Sequence, residues 1–359
     1  MKIIHVVGAR PNFMKMAPVF KALEKYPVEQ SIIHTGQHYS QNMSDIFFAE
    51  LGIKPPEMNL QVGSGSHANQ VAQIMIKFEE VMLKEKPDLI LVYGDVNSTL
   101  AAALVGAKMG IKIGHIEAGL RSFDLSMPEE INRIVTDRLS SLFFIHSPEA
   151  EENLIKENVS AENIHFVGNV MIDTLLKYLK IIKQRKNITP PFPEFGIVTL
   201  HRPSNVDDPE RLKNVILSFN RIAQRIPLIF PIHPRTKKQL ELVKDAEFDP
   251  KNIALIDPLG YLDFLSLVYR SRLVITDSGG IQEETTHLGI PCLTLRSNTE
   301  RPVTVTEGTS TLIGDDYELL EKTIDKILAG KYKQGKIPQN WDGQAAERIA
   351  KIIIKQFNE

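Results

Sequence analysis

The chain reads as an α/β protein with two doubly wound, Rossmann-like domains facing each other across a cleft. Three observations lead there. Short runs rich in Val, Ile and Leu alternate with longer helical patterns from end to end, as in βαβ chains whose parallel sheets are buried on both faces. At 359 residues the chain exceeds the usual size of one core, so two domains of roughly 170 residues each are expected. A proline-rich break, Asn187-Ile188-Thr189-Pro190-Pro191-Phe192-Pro193, ends the helical run over 171–185 and separates two sets of strands. The expected partition is a first domain over 1–169, a connecting helix and linker over 170–194, a second domain over 195–340, and a last segment, 341–359. That segment holds an amphipathic helix from about 344 to 357 that can cross back onto the first domain.

Taken in order, the first set of strands covers 2–7, 30–35, 89–94, 111–116, 142–146 and 163–167. The turn after the first strand, Gly8-Ala9-Arg10-Pro11-Asn12-Phe13-Met14-Lys15, stands where dinucleotide enzymes carry Gly-x-Gly-x-x-Gly, but it lacks the second and third glycines. Bound NAD is therefore not expected, and Arg10 and Lys15 read as contacts to an anionic group, with a structural arginine as the alternative. The third strand ends on Gly94-Asp95 and the fourth on His115-Ile116-Glu117-Ala118-Gly119-Leu120-Arg121. Two neighbouring strands thus deliver carboxylates to one sheet edge, which is where open parallel sheets bind ligands. Asp95 could instead cap the following helix, and Glu117 could form a structural salt bridge with Arg121 or Arg133. Glu129, in Met127-Pro128-Glu129-Glu130-Ile131-Asn132-Arg133, is an acid favoured after a helix-initiating proline.

The second set of strands covers 195–200, 226–232, 253–256, 272–276, 291–295 and 310–313. Its strand over 272–276 runs into Asp277-Ser278-Gly279-Gly280-Ile281-Gln282-Glu283-Glu284. The two glycines permit close backbone approach, and the amides of a helix N-terminus suit a phosphate. Glu284, one turn further on, is placed to reach a ribose diol. The plain alternative is a tight turn capped by Ser278. Thr299-Glu300-Arg301-Pro302 offers a guanidinium at the same edge, or else a surface arginine ahead of a proline. His201-Arg202 and His233-Pro234-Arg235 end two further strands and suggest a cationic rim.

Composition removes several function classes. The 44 acids against 42 Lys and Arg leave a net charge of −2, which argues against nucleic acid or an anionic membrane as a partner. The single cysteine, Cys292, lies in an apolar run and forms no disulfide or zinc pattern. No apolar run approaches the roughly 20 residues that span a bilayer, so a cytoplasmic protein is expected.

The ordered motifs resemble one family: Gly-x-Arg-Pro-x-x-x-Lys at 8–15, Thr35-Gly36-Gln37-His38, Gly94-Asp95, His-x-Glu-Ala-Gly-Leu-Arg at 115–121, Pro-Glu-Glu-x-Asn-Arg at 128–133, His201-Arg202, His233-Pro234, Ser-Gly-Gly-x-Gln-Glu-Glu at 278–284 and Thr-Glu-Arg-Pro at 299–302. Over nearly the whole chain they are similar to the non-hydrolysing UDP-N-acetylglucosamine 2-epimerases. The resemblance implies the glycosyltransferase-B architecture, a homodimer, and interconversion of UDP-GlcNAc and UDP-ManNAc for surface polysaccharides, with no cofactor and no metal. It implies Asp95, Glu117 and Glu129 as functional carboxylates, together with His201. It further implies Arg10, His201, Ser278, Gly279, Gly280 and Arg301 on the diphosphate with Lys15 nearby, Glu284 on the ribose, and Phe264 with the loop from Leu259 at the uracil. Gln37, Arg121, Arg202 and His233 are possible additional site residues.

This chain departs from the common family pattern at Ala9 and Asn12 in Gly8-Ala9-Arg10-Pro11-Asn12 and at Ser204 in His201-Arg202-Pro203-Ser204-Asn205, and its loop between Arg121 and Pro128 is short. These changes keep epimerisation of a modified UDP-sugar, such as a diacetamido uronic acid, open beside UDP-GlcNAc. No arginine occurs between Arg10 and Arg121, which speaks against activation through a second UDP-GlcNAc site of the bacterial kind, although Gln37 and Gln41 lie in that region. A glycosyltransferase of the same architecture would need an acceptor and would not need three acids in the first domain. A hydrolysing 2-epimerase would release free N-acetylmannosamine, and a nucleotide-sugar sensor would bind without turnover.

Overall fold

The computed structural model describes residues 1–37, 52, 54–185, 187–243 and 246–358, and the Arg10 side chain, like His38 and Gln41, lies outside the described set. Two compact units divide the chain: Met1–Lys177 with Gln339–Glu359, and Tyr178–Pro338.

In the first unit β1 (Lys2–Val7) leads into α1 (Arg10–Leu23), β2 (Glu29–His34) and a two-residue β3 (Met58–Asn59). Then come α2 (His67–Glu85), β4 (Leu89–Tyr93), α3 (Asn97–Lys108), β5 (Lys112–Ile116), α4 (Pro128–Leu139), β6 (Leu142–Ile145), α5 (Pro148–Lys156) and β7 (Ile164–Phe166). The helix α6 (Val170–Gln184) follows, and the division between units falls within it. The seven strands are parallel in the order β3-β2-β1-β4-β5-β6-β7. Strands such as Leu89–Tyr93 are buried along their whole length, because helices cover both faces of a parallel sheet. Ile4, Val6, Ile90, Val92 and Ile113 from the sheet pack with Ile74, Phe78 and Met82 of α2 and the small residues Ala101–Ala103 of α3. The order in which strands are added reverses between β1 and β4, the switch point where the carboxyl-end turns diverge and leave a crevice.

The second unit contains β8 (Gly196–Thr199), α7 (Pro203–Val206), α8 (Pro209–Ala223), β9 (Leu228–Pro231), α9 (Pro234–Leu240), β10 (Ile253–Ile256) and α10 (Tyr261–Arg270). It continues through β11 (Leu273–Thr276), α11 (Gly279–Leu288), β12 (Cys292–Thr294), α12 (Val303–Thr306), β13 (Ser310–Leu312) and α13 (Tyr317–Leu328). Its six strands are parallel in the order β10-β9-β8-β11-β12-β13, with the switch point between β8 and β11. Val198, Leu228, Phe230, Ile275 and Leu293 form its core with Phe219 and Ile324.

The last helix, α14 (Ala345–Asn358), belongs to the first unit and packs on α1. Its entry is pinned. Trp341, 1% exposed, donates its indole N–H to the His146 carbonyl at 2.9 Å, and the Asp173 carboxylate accepts the Ala345 and Ala346 amides at 3.2 and 2.7 Å. Gly168, with φ of 89°, lies so close to Asn340 that a Cβ would stand 2.0 Å from its carbonyl oxygen. Every strand expected from the sequence is present, with ends shifted by no more than two residues; β3 was not expected, because two exposed residues carry no periodic pattern. No helix among the described residues is long and apolar enough to cross a membrane.

Candidate active site

In the first unit three carboxyl-end turns converge. After β1, Asn12 accepts the Gly8 and Ala9 amides at 3.1 and 2.9 Å and donates to the Tyr93 carbonyl at 2.7 Å, tying the first turn to the end of β4. Gly8 cannot be larger: a Cβ there would fall 1.9 Å from the Ser98 hydroxyl. From the start of α1, Lys15, 6% exposed, reaches Glu117 and forms an ion pair with it. Glu117 is itself buried and has φ of 76°, a left-handed conformation uncommon outside glycine that often marks a functional turn. Gly94, at φ of 63°, lies against this pair. Asp95 follows it and does not cap α3, whose N-cap is Val96. Arg133 from α4 grips Asp95 Oδ2 through Nε and Nη2 at 3.0 and 2.6 Å.

The same helix fixes the loop after Glu117. Glu130, fully buried, accepts the Ser122 amide at 3.0 and 2.9 Å and the Phe123 amide at 2.9 Å, and it also pairs with Arg133 at 2.6 Å. Arg121 is buried between Asp137, at 2.8 Å, and Glu157, which accepts from its Nε and Nη2 at 2.8 and 2.7 Å. Of the alternatives open in the sequence, then, Glu117 pairs with Lys15, Arg133 with Asp95 and Glu130, and Arg121 with Asp137 and Glu157. Glu129 sits half-buried in the first turn of α4. Gln37 accepts the Ser98 amide and hydroxyl at 3.0 and 2.6 Å, at the carboxyl end of β2.

The second unit builds its site around Asp277, which is fully buried at the end of β11. It accepts the His201 and Arg202 amides at 3.0 and 2.8 Å and the Asn205 side chain at 3.1 Å, and the His201 ring lies 3.1 Å away. Burial alone would push this carboxyl up, but the His201 ring and the amide and Asn205 donors outweigh it and hold it below the usual range. The His233 ring stands 5.7 Å from that of His201 and accepts the Arg235 amide, capping α9. Ser278 occupies the N-cap of α11 without a side-chain capping bond. At Gly279 a Cβ would fall 2.4 Å from the Arg301 guanidinium, whereas Gly280 faces open space. Arg301, 5% exposed, is held by Glu283 at 2.8 Å and by Glu300, which also takes Arg296 at 2.7 Å. A guanidinium thus borders the N-terminus of α11, an arrangement chemically suited to an anion. Glu284, one turn in, accepts the Tyr261 hydroxyl at 2.9 Å, and burial, with Glu283 adding to it, pushes its carboxyl up to about 8. Leu259 and Phe264 flank the start of α10, both half-buried.

Asp277, Glu130 and Asp137 were not singled out from the sequence. The signal for the α4 pair was present as a buried-face spacing of Glu130, Arg133 and Asp137, at i, i+3 and i+7, in a helix with few apolar residues.

The model of the UDP-N-acetylglucosamine 2-epimerase family matches residues 21–354. The UDP-N-acetylglucosamine 2-epimerase of Methanocaldococcus jannaschii is 45% identical over 363 residues, covering 98% of this chain and 99% of that protein. The UDP-2,3-diacetamido-2,3-dideoxy-D-glucuronate 2-epimerase of Pseudomonas aeruginosa is 41% identical over 359 residues, 99% of this chain and 100% of its own. The crystal structure of the M. jannaschii enzyme in complex with UDP-GlcNAc and UDP matches at a TM-score of 0.92 and 43% identity, covering 99% of this chain and 100% of that one. With carboxylates gathered in one α/β unit and a glycine turn beside an arginine in the other, this chain belongs to the UDP-N-acetylglucosamine 2-epimerase family and is an isomerase.

Proposed function

We propose that the protein interconverts UDP-GlcNAc and UDP-ManNAc without hydrolysis, supplying precursors for surface polysaccharide. Carbon 2 of such a sugar is not next to a carbonyl, so its proton cannot leave to give an enolate. Elimination serves instead: the C2–H and C1–O bonds break, a C1=C2 bond forms, the proton passes to a carboxylate and UDP departs with the electron pair. UDP then adds back to 2-acetamidoglucal as a proton returns to the opposite face. The first unit supplies the acid–base groups Asp95, Glu117 and Glu129. The second holds UDP, with His201, Ser278, Gly279, Gly280 and Arg301 on the diphosphate, Glu284 on the ribose, and Phe264 with the Leu259 loop at the uracil.

The observation that carries this reading is the closeness of the two carboxylate turns, with Glu117 Oε2 3.0 Å from where a Cβ on Gly94 would stand, directly before Asp95. Two acid–base groups on adjoining turns of one sheet edge are what epimerisation requires and simple donor binding does not. Incubation with either UDP-sugar, followed by anion-exchange separation, is expected to approach the same mixture from both sides. Release of free N-acetylmannosamine would instead indicate hydrolysis. The diacetamido uronic acid reading rests on the P. aeruginosa relative and predicts faster turnover of that sugar in the same assay. The protein is proposed to act in the cytoplasm as a homodimer, so light scattering should give twice the chain mass of 40.4 kDa.

A further inference from the structure

Helix α4 turns three buried charged side chains to one face, and the third, Asp137, has no part in the chemistry above. Its carboxylate meets three groups of the segment that carries Glu117: the His115 ring at 2.6 Å, the Gly119 amide at 3.1 Å and the Arg121 guanidinium at 2.8 Å. These lie two residues before Glu117, two after it and four after it. The other nitrogen of His115, Nε2, is 2.9 Å from the Gly94 carbonyl. A carbonyl only accepts, so this nitrogen carries a proton and donates it. One carboxylate therefore braces the backbone on both sides of Glu117 and, through the His115 ring, the turn that presents Asp95. Burial would raise the Asp137 carboxyl, but the charges and hydrogen bonds of His115 and Arg121 outweigh it and keep it ionised. The left-handed Glu117 is the residue in this segment that most needs such support.

We propose that Asp137 is a positioning residue that sets the relative placement of Glu117 and Asp95, acting through His115, Gly119 and Arg121. The assignment rests on the reading that those two carboxylates move the C2 proton. Asp137→Asn keeps the shape and removes the charge. It is expected to lower kcat about tenfold or more, since small misplacements of reacting groups are costly, while KM and UDP affinity change by less than about twofold. In a Glu117→Gln background the same change should cost clearly less than in the wild type, because one of the two groups being positioned is already gone. Amide exchange over 115–121 should quicken in the variant. A wild-type kcat, or a loss that multiplies in full on Glu117→Gln, would overturn the assignment. If the wild type fails to epimerise UDP-GlcNAc, the functional reading falls, and unchanged protection of the Gly119 amide in Asp137→Asn would still refute the brace. Should that variant not fold, His115→Gln tests the Gly94 branch: a lower kcat at unchanged KM is expected, and a wild-type kcat contradicts it.

Discussion

Gly94 shows how closely individual residues constrain the proposed chemistry. Its φ of 63° already disfavours any other residue, and an added Cβ would stand 2.8 Å from Lys15 Nζ and 3.0 Å from Glu117 Oε2. Gly94→Ala is therefore expected to lower kcat by about tenfold or more through displacement of the Lys15–Glu117 pair, with circular dichroism unchanged; a fully active variant would contradict the placement. Asp95→Asn and Glu117→Gln should each lower kcat by about 10² or more, the usual contribution of acid–base groups, in steady-state epimerisation assays. Arg301 needs a gentler change, because its removal would leave Glu283 and Glu300 buried beside an empty position. Arg301→Lys keeps the charge but loses the planar fork, and should weaken UDP binding about tenfold by calorimetry. The places of Glu117, Asp95 and Arg301 after the carboxyl ends of their strands were legible in the sequence because each strand is recognisable. Their partners were not: Lys15 lies 102 positions from Glu117 and Arg133 lies 38 from Asp95, separations that local pattern does not report.

At the scale of elements, α4 and α14 do what their sequences only hinted at. The strands were readable because buried parallel strands are continuous apolar runs, as in Leu89–Tyr93 and Leu273–Thr276. Helix α4 was readable as a helix but not as a strut, because the purpose of Glu130, Arg133 and Asp137 depends on loops that only the fold brings beside them. Helix α14 begins on Asp173, which is 8% exposed and whose carboxyl is pushed up to about 6, chiefly by burial and only partly offset by the Ala346 and Ala345 amides. In the unfolded chain it titrates near its ordinary value, so the folded state binds this proton more tightly. The associated stability is fully present below about pH 4 and is lost as pH rises through about 6. Urea unfolding of wild type and Asp173→Asn from pH 4 to 8 should show the wild type losing roughly 3 kcal/mol relative to the variant across that range; parallel curves would contradict the burial-dominated account.

At the scale of the molecule, each unit is a complete parallel α/β sheet with candidate site residues on carboxyl-end turns beside a switch point. That arrangement follows from the alternation of apolar runs and helices, and it explains why the fold class was the most readable feature of the chain. The return of Gln339–Glu359 to the first unit was visible only as an amphipathic pattern, since the anchors Trp341, Gly168 and Asp173 declare themselves in packing. A ligand that binds only the folded protein stabilises it by mass action, so UDP at 100 times its Kd should add about 2.7 kcal/mol in urea titrations, and Arg301→Lys should lose about half of that gain at the same UDP concentration. The central claim, that the protein removes and returns the C2 proton of a UDP-sugar through elimination, is tested most directly by proton NMR of the purified protein with UDP-GlcNAc in D₂O. Deuterium entering at C2 as UDP-ManNAc appears is the predicted result; UDP-GlcNAc that keeps its C2 proton while the protein binds UDP would contradict it.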